Sequence, residues 1–342
     1  MNSYCAVNAK IKAMYADCLK DKDYENLIAM HDVGQVCSYL KSTPAYADTL
    51  GSLTESEMHR GTVERILSHK LFTQYIRLYN FMDKAHRDIL KFWFMRMEVE
   101  YLKHRIRYIF NNETGIYTET EDEGSEFFTE HTKINCKLAS SSKTLSDFVE
   151  SCVDTPYYKL LKTAETIKSD FFSIGMMLDR LYYTLLWKAK DKLPKSERAA
   201  FEAYVGPIAD MLNIMWIYRG KKYFDFDREV IYTYLIPVHY RLSEDCIKRM
   251  VSGEGGASVE AAAAETKYSE LFNGVGDEYF IEKNYLALEI KNSKRLFVNE
   301  PMSMAAIFAY FNLKESEINK ITTIIEGVRY GSSSELLKNY IK

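Results

Sequence analysis

The chain is poor in the residues that break helices: its 342 residues include only 15 glycines and 6 prolines. Left-handed hinges and missing backbone donors are therefore scarce. No stretch alternates cleanly between apolar and polar residues, which argues against half-buried strands. Charge of one sign is also lacking. With 45 basic and 48 acidic residues the net charge is −3, so the molecule as a whole has no general pull on nucleic acid or on an anionic bilayer. Six cysteines (Cys5, Cys18, Cys37, Cys136, Cys152, Cys246) are scattered with no C-x-x-C pair among them. That excludes the usual zinc and disulfide frameworks and leaves reduced, mostly buried thiols in a cytoplasmic protein as the reading. The longest uncharged apolar run, Pro301 to Leu313, has 13 residues, short of the roughly 20 that cross a bilayer as a helix. The opening MNSYCAVNAKIKAMY has no signal-peptide core.

Chemical motifs are missing as well. There is no G-x-x-x-x-G-K-[ST] loop, no H-E-x-x-H pair and no EF-hand loop. The seven histidines never fall three or four residues apart, so no single helix face carries two of them for a metal. Asp225 and Asp227 read as charge at a helix start, and Lys221 and Lys222 as charge at a helix end. No catalytic residue, cofactor site or metal site is expected, and the chain is not expected to be an enzyme.

What is present favours helix. Leu, Lys, Glu, Ala and Met are plentiful, and they lose little entropy in a helix. The 26 tyrosines suit packed helices and interfaces, each bringing a large apolar ring with a polar tip. Val63, Leu67, Leu71, Tyr75, Leu78 and Met82 advance in steps of three and four and line one helix face. Ile174, Met177, Leu178, Leu181, Leu185 and Trp187 behave similarly. The acidic run Thr118 to Glu126 and the glycine-rich run Val251 to Ala257 read as solvated connections.

An internal repeat governs the architecture. VCSYLKSTPAYADTL, DFVESCVDTPYYKLL and VEAAAAETKYSELF each join an apolar helical run to a Thr, a Tyr and one or more Leu. The threonines, Thr43, Thr155 and Thr266, are separated by 112 and 111 residues, and the tyrosines that follow are taken as Tyr46, Tyr158 and Tyr268. Each copy reads as a helix–turn–helix corner, with Pro at the first position of the next helix and Thr capping it. A second element repeats at the same period. EVEYLKHRIR (Glu98 to Arg107) and DMLNIMWIYR (Asp210 to Arg219) both begin with an acid and end with Arg. A weaker third copy, EINKITTIIE, starts at Glu317 and ends at Glu326. Tyr101 of the first copy occupies the place of Asn213 in the second. Nine residues turn a helix by about 900°, so acid and Arg lie on opposite faces and each reaches a different neighbour. The expectation is an all-α protein of three related units, 1–97, 98–209 and 210–342, the last carrying a closing C-terminal helix.

These residues resemble the C subunit of V/A-type rotary ATPases, whose eukaryotic vacuolar counterpart is called the d subunit. YCAVNAKIKAM (Tyr4 to Met14) is similar to that family's first helix. IADMLNIMWIYRGKKYFDFDREVIYTYLIP (Ile208 to Pro237) is similar to its central block, and LKESEINKITTIIEGVRYG (Leu313 to Gly331) to its C-terminal signature. The resemblance implies a funnel of three helical units about a pseudo-threefold axis. It implies a monomer within a hetero-oligomeric complex, peripheral at the cytoplasmic face of the membrane. The partners it implies are the proteolipid rotor ring and the shaft subunits D and F, with torque passed between them and no nucleotide bound. The other class consistent with the repeats is a helical scaffold or adaptor unrelated to ATPases.

Overall fold

The computed structural model describes residues 4–54, 57, 60–112, 126–274 and 278–341, and among these every regular element is helical. Two compact units divide the chain: residues 1–83 with 293–342, and residues 84–292. The first unit is therefore assembled from both ends of the polypeptide.

The N-terminal part of that unit contains α1 (Tyr4–Ala16), α2 (Asp21–Ile28), α3 (Val33–Ser42), α4 (Ala47–Leu50) and α5 (Arg60–Phe81). The apolar face read from Val63 to Leu78 is buried along α5, and Met82 just beyond its end is buried too.

The second unit opens with α6 (Lys84–Asn112), followed by α7 (Glu126–His131), α8 (Cys136–Ser141), α9 (Leu145–Glu150) and α10 (Tyr158–Thr166). It continues through α11 (Phe171–Ala189), α12 (Lys195–Lys222), α13 (Arg228–Tyr234), α14 (Glu244–Ser252) and α15 (Gly255–Ala264). Ile174 and Leu178 are buried on α11 as the sequence pattern requires, but Tyr182 and Leu186 carry the face onward. Met177, Leu181, Leu185 and Trp187 are only half-buried. A helix that packs on several neighbours buries a broader, drifting stripe than one seam defines. The glycine-rich run is also shorter as a connection than expected: Val251 and Ser252 end α14 and Gly255 opens α15. Most of the acidic run Thr118 to Glu126 lies outside the described residues.

The chain closes with α16 (Glu278–Asn299), α17 (Met304–Arg329) and α18 (Ser334–Ile341), the unit boundary falling inside α16. Two helices, α12 and α17, are buried almost all round and form the cores of their respective units. In the first unit α17 packs against α1, α2, α3, α5 and α18. Its start is capped by Ser303 Oγ, which accepts from the Ala306 amide at 3.3 Å. Its end is closed by Gly331 at φ +68°, with the Ser332 amide donating to Gly327 O at 2.8 Å. No helix among the described residues is long and apolar enough to cross a membrane. The six cysteines are free; Cys37, Cys152 and Cys246 are buried, Cys18 and Cys136 half-buried and Cys5 exposed.

Gly206, in the middle of α12, lies against the Tyr240 ring; a Cβ there would stand 2.3 Å from Tyr240 Cγ. Gly175 on α11 has nothing within 4 Å of the same position. Gly206→Ala should lower stability by about 2 kcal/mol through overpacking. Gly175→Ala should raise it by up to about 1 kcal/mol through helix propensity. Thermal melts of the two variants check both signs.

Candidate functional site

Three corners of similar chemistry occur where the repeat places them. Thr43 Oγ1 donates to Leu40 O at 2.7 Å, Thr155 Oγ1 to Cys152 O at 2.6 Å and Thr266 Oγ1 to Ala263 O at 2.7 Å. The backbone amide of each threonine donates to the same carbonyl. These hydroxyls therefore close the preceding helix and do not cap the next one, which corrects the sequence expectation. The reason is geometric: at the exit of a helix the nearest free group is a C-terminal carbonyl, which needs a donor. Pro44 and Pro156 lie in the turn ahead of the next helix rather than at its first position. The position flanking that next helix belongs to a tyrosine each time: Tyr46, Tyr157 and Tyr268.

Each of these tyrosines is buried and donates its hydroxyl to an acid on a long helix. Tyr46 donates to Glu317 Oε1 on α17. Tyr157 donates to Glu98 Oε2 on α6 at 2.7 Å. Tyr268 donates to Asp210 Oδ2 on α12 at 2.6 Å. The contact in the second copy is thus made by Tyr157, whereas Tyr158 is half-buried at the first turn of α10. A signal for it existed, since Tyr46, Tyr157 and Tyr268 are spaced evenly at 111 residues. Burial, and then the adjacent carboxylate, pushes all three phenols well above the ordinary tyrosine range. They remain donors throughout the working pH range.

A third segment enters each clamp. Glu98 Oε1 accepts from Thr132 Oγ1 at 2.6 Å. Asp210 accepts from the backbone amides of Tyr240, Arg241 and Leu242 at 3.1, 2.7 and 3.2 Å. Glu317 Oε2 accepts from the Leu19 amide at 2.8 Å. These partners all lie 25 to 28 residues before the clamp tyrosine. Burial raises the carboxyl pKa of Glu98 and Asp210, with their hydrogen bonds opposing the shift. Only the third clamp holds a cation: Lys314 Nζ is 2.5 Å from Glu317 Oε1, both side chains 4% exposed. The same ammonium is 3.2 Å from the Tyr46 hydroxyl and 3.6 Å from Cys18 Sγ. Burial pushes the Cys18 thiol up to about 12, partly offset by Lys314.

The remaining residues named from sequence have separate partners. Asn213, fully buried, holds Ile236 on both sides: its Nδ2 donates to Ile236 O at 3.0 Å and its Oδ1 accepts from the Ile236 amide at 2.8 Å. Arg219 pairs with Glu282 at 2.5 Å. Arg107 lies over the Phe171 ring, 5.1 Å from its centroid. Sequence reasoning missed Lys314, Thr132 and Tyr157. It also missed the Lys103–Asp179 pair at 2.5 Å, which ties α6 to α11. No periodic pattern marks a partner that a fold supplies from elsewhere in the chain. Among the described residues no group of three His, Cys, Asp or Glu is placed to hold a metal ion.

An all-helical scaffold is what this arrangement defines: its repeated acids are engaged as hydrogen-bond acceptors that hold chain segments in place. The ATP synthase (C/AC39) subunit family model matches residues 7–340, and the chain belongs to that family. Its relatives include proteins named as the C subunit of A-type ATP synthase. The one from Thermococcus kodakarensis is 22% identical over 99% of this chain and 90% of its own length. That from Thermococcus gammatolerans is 24% identical over 99% and 89%. That from Methanobrevibacter smithii is 22% identical over 95% and 84%. The chain is a non-catalytic subunit of a V/A-type rotary ATPase.

Tyr157→Phe should lower stability by about 2 kcal/mol, the scale of a lost hydrogen bond to a buried charged group. Tyr158→Phe should stay within about 0.5 kcal/mol of wild type, and urea unfolding distinguishes the two. Glu98 also carries a pH signature. Its folded pKa lies above the usual 4.5, so the folded state binds that proton more tightly than the unfolded chain. Its contribution is present in full below about pH 4.5 and is lost as pH rises through the raised value. Glu98→Gln should therefore show a smaller fall, or a larger gain, in urea midpoint than wild type across that interval.

Proposed function

We propose that the chain is the central-stalk coupling part of its rotary ATPase, joining the shaft built from subunits D and F to the proteolipid ring. It turns with the rotor at the cytoplasmic face of the membrane, held there by protein partners, and passes torque between ATP chemistry and proton or sodium movement. The observation that carries this reading is the threefold recurrence of the tyrosine–acid clamp in a chain of this family. Three equivalent joints fit a body of three related units about a pseudo-threefold axis, the form expected of a funnel seated on a ring. The repeat positions Thr43, Thr155 and Thr266, with Glu98, Asp210 and Glu317, are read as equivalent points of those units. The boundaries at 97/98 and 209/210 then place an acid-bearing helix at the head of the second and third units, while the first unit borrows its acid from Glu317.

A coupling part acts by stiffness, and the chemistry suits that task. Buried acids held by two or more donors have one favoured geometry, and well-packed helices transmit displacement with little compression. The adaptor reading has no feature in its favour once the family is known.

Affinity capture of the chain from gently solubilised membranes should bring down proteolipid and shaft subunits together. In membranes lacking the chain, the catalytic head should continue to hydrolyse ATP while ion pumping falls to background. Pumping that survives its removal would sink the coupling role.

A further inference from the structure

Of the three clamps, the one in the first unit is built from sequence-distant pieces. Glu98 and Asp210 precede their tyrosines by 59 and 58 residues. Glu317 follows Tyr46 by 271 residues. The N-terminal helices are therefore tied to α17 without a short covalent loop, and closing so long a loop has the larger entropy penalty.

The polar partners recorded for this clamp divide cleanly. Apart from each other, Lys314 and Glu317 contact only groups within residues 4–50: Cys18 Sγ, the Leu19 amide and the Tyr46 hydroxyl. The ion pair itself lies within α17 at i,i+3 spacing. If α1 to α4 lift away, Lys314 and Glu317 stay together on one helix and water replaces the lost partners. No isolated charge is left in a dry interior, the situation that makes breaking most buried pairs so unfavourable. Asp210 has no such companion, because its partners are backbone amides and a tyrosine on other segments.

We infer that residues 4–50 form a releasable strap, clasped to α17 through the Lys314–Glu317 pair and able to open as a piece while the second unit stays folded. The clasp is a conformational device: it stores a low-lying open form in which the two ends of the chain separate without unfolding the remainder. Removing Glu317 alone tips it. In the closed form Lys314 would then be buried without its anion, whereas in the open form it is hydrated.

Native cysteines report the motion. Cys37 is buried on the strap, while Cys152 and Cys246 are buried in the second unit. A maleimide pulse on the full chain, read by peptide mass spectrometry, measures all three at once. In Glu317→Gln, Cys37 labelling should rise on the order of a hundredfold, with Cys152 and Cys246 unchanged. The double variant Lys314→Met with Glu317→Gln, which removes the unpaired ammonium, should bring Cys37 back to within a few-fold of wild type. Tyr46→Phe is the milder variant should Glu317→Gln fail to fold, and it should raise Cys37 labelling about fivefold. An unchanged Cys37 rate, or one that rises in step with Cys152 and Cys246, overturns the strap.

Discussion

A carboxylate inside a protein must be met by donors, and the rest of this structure is arranged around meeting three of them. Glu98, Asp210 and Glu317 sit on the long helices α6, α12 and α17, two of which are apolar almost all round. An ionised acid in that setting without partners would destabilise the fold by several kcal/mol on the usual scale for buried charge. Each is satisfied by the same pair of visitors: the hydroxyl of a corner tyrosine and a group from a segment 25 to 28 residues earlier. The acid thus fixes where two otherwise independent stretches of chain come to rest.

The three solutions differ in detail in a way that separates geometry from residue identity. Asp210, with the shorter side chain, draws three backbone amides to itself. Glu98 accepts from a threonine hydroxyl, and Glu317 takes one amide together with a lysine. What recurs is an acceptor at one place on a long helix and donors converging on it. Divergence among the copies parallels divergence across the family, where relatives near 22% identity still align over nearly the whole chain. Packing tolerates exchange of side chains so long as volume, polarity and hydrogen-bond count are kept.

The same economy explains why the molecule carries many polar groups and no chemistry of its own. Acids that accept two to four hydrogen bonds are engaged, and phenols pushed above their ordinary range stay protonated. Arg219 is tied to Glu282, and Lys103 to Asp179. Groups held this way are poor nucleophiles and poor proton carriers, but they make stiff joints, which is the property a non-catalytic subunit of a rotary machine requires.

The amino-acid sequence alone determined the helical class, the α5 face from Val63 to Leu78, the repeat near 112 residues and the acids that anchor it, because period, composition and spacing are local or evenly recurring signals. It pointed to Tyr158 where Tyr157 makes the contact, and to threonines capping forward where they close the helix behind them. Both errors came from choosing between adjacent residues whose difference lies in direction rather than in type. Only the tertiary structure decided that Glu317 meets Tyr46 across 271 residues, that Lys314 joins them, and that one compact unit is made from both ends of the chain. Such pairings depend on which helices pack together, and a buried hydrogen bond between distant segments leaves no periodic trace in the chain that forms it.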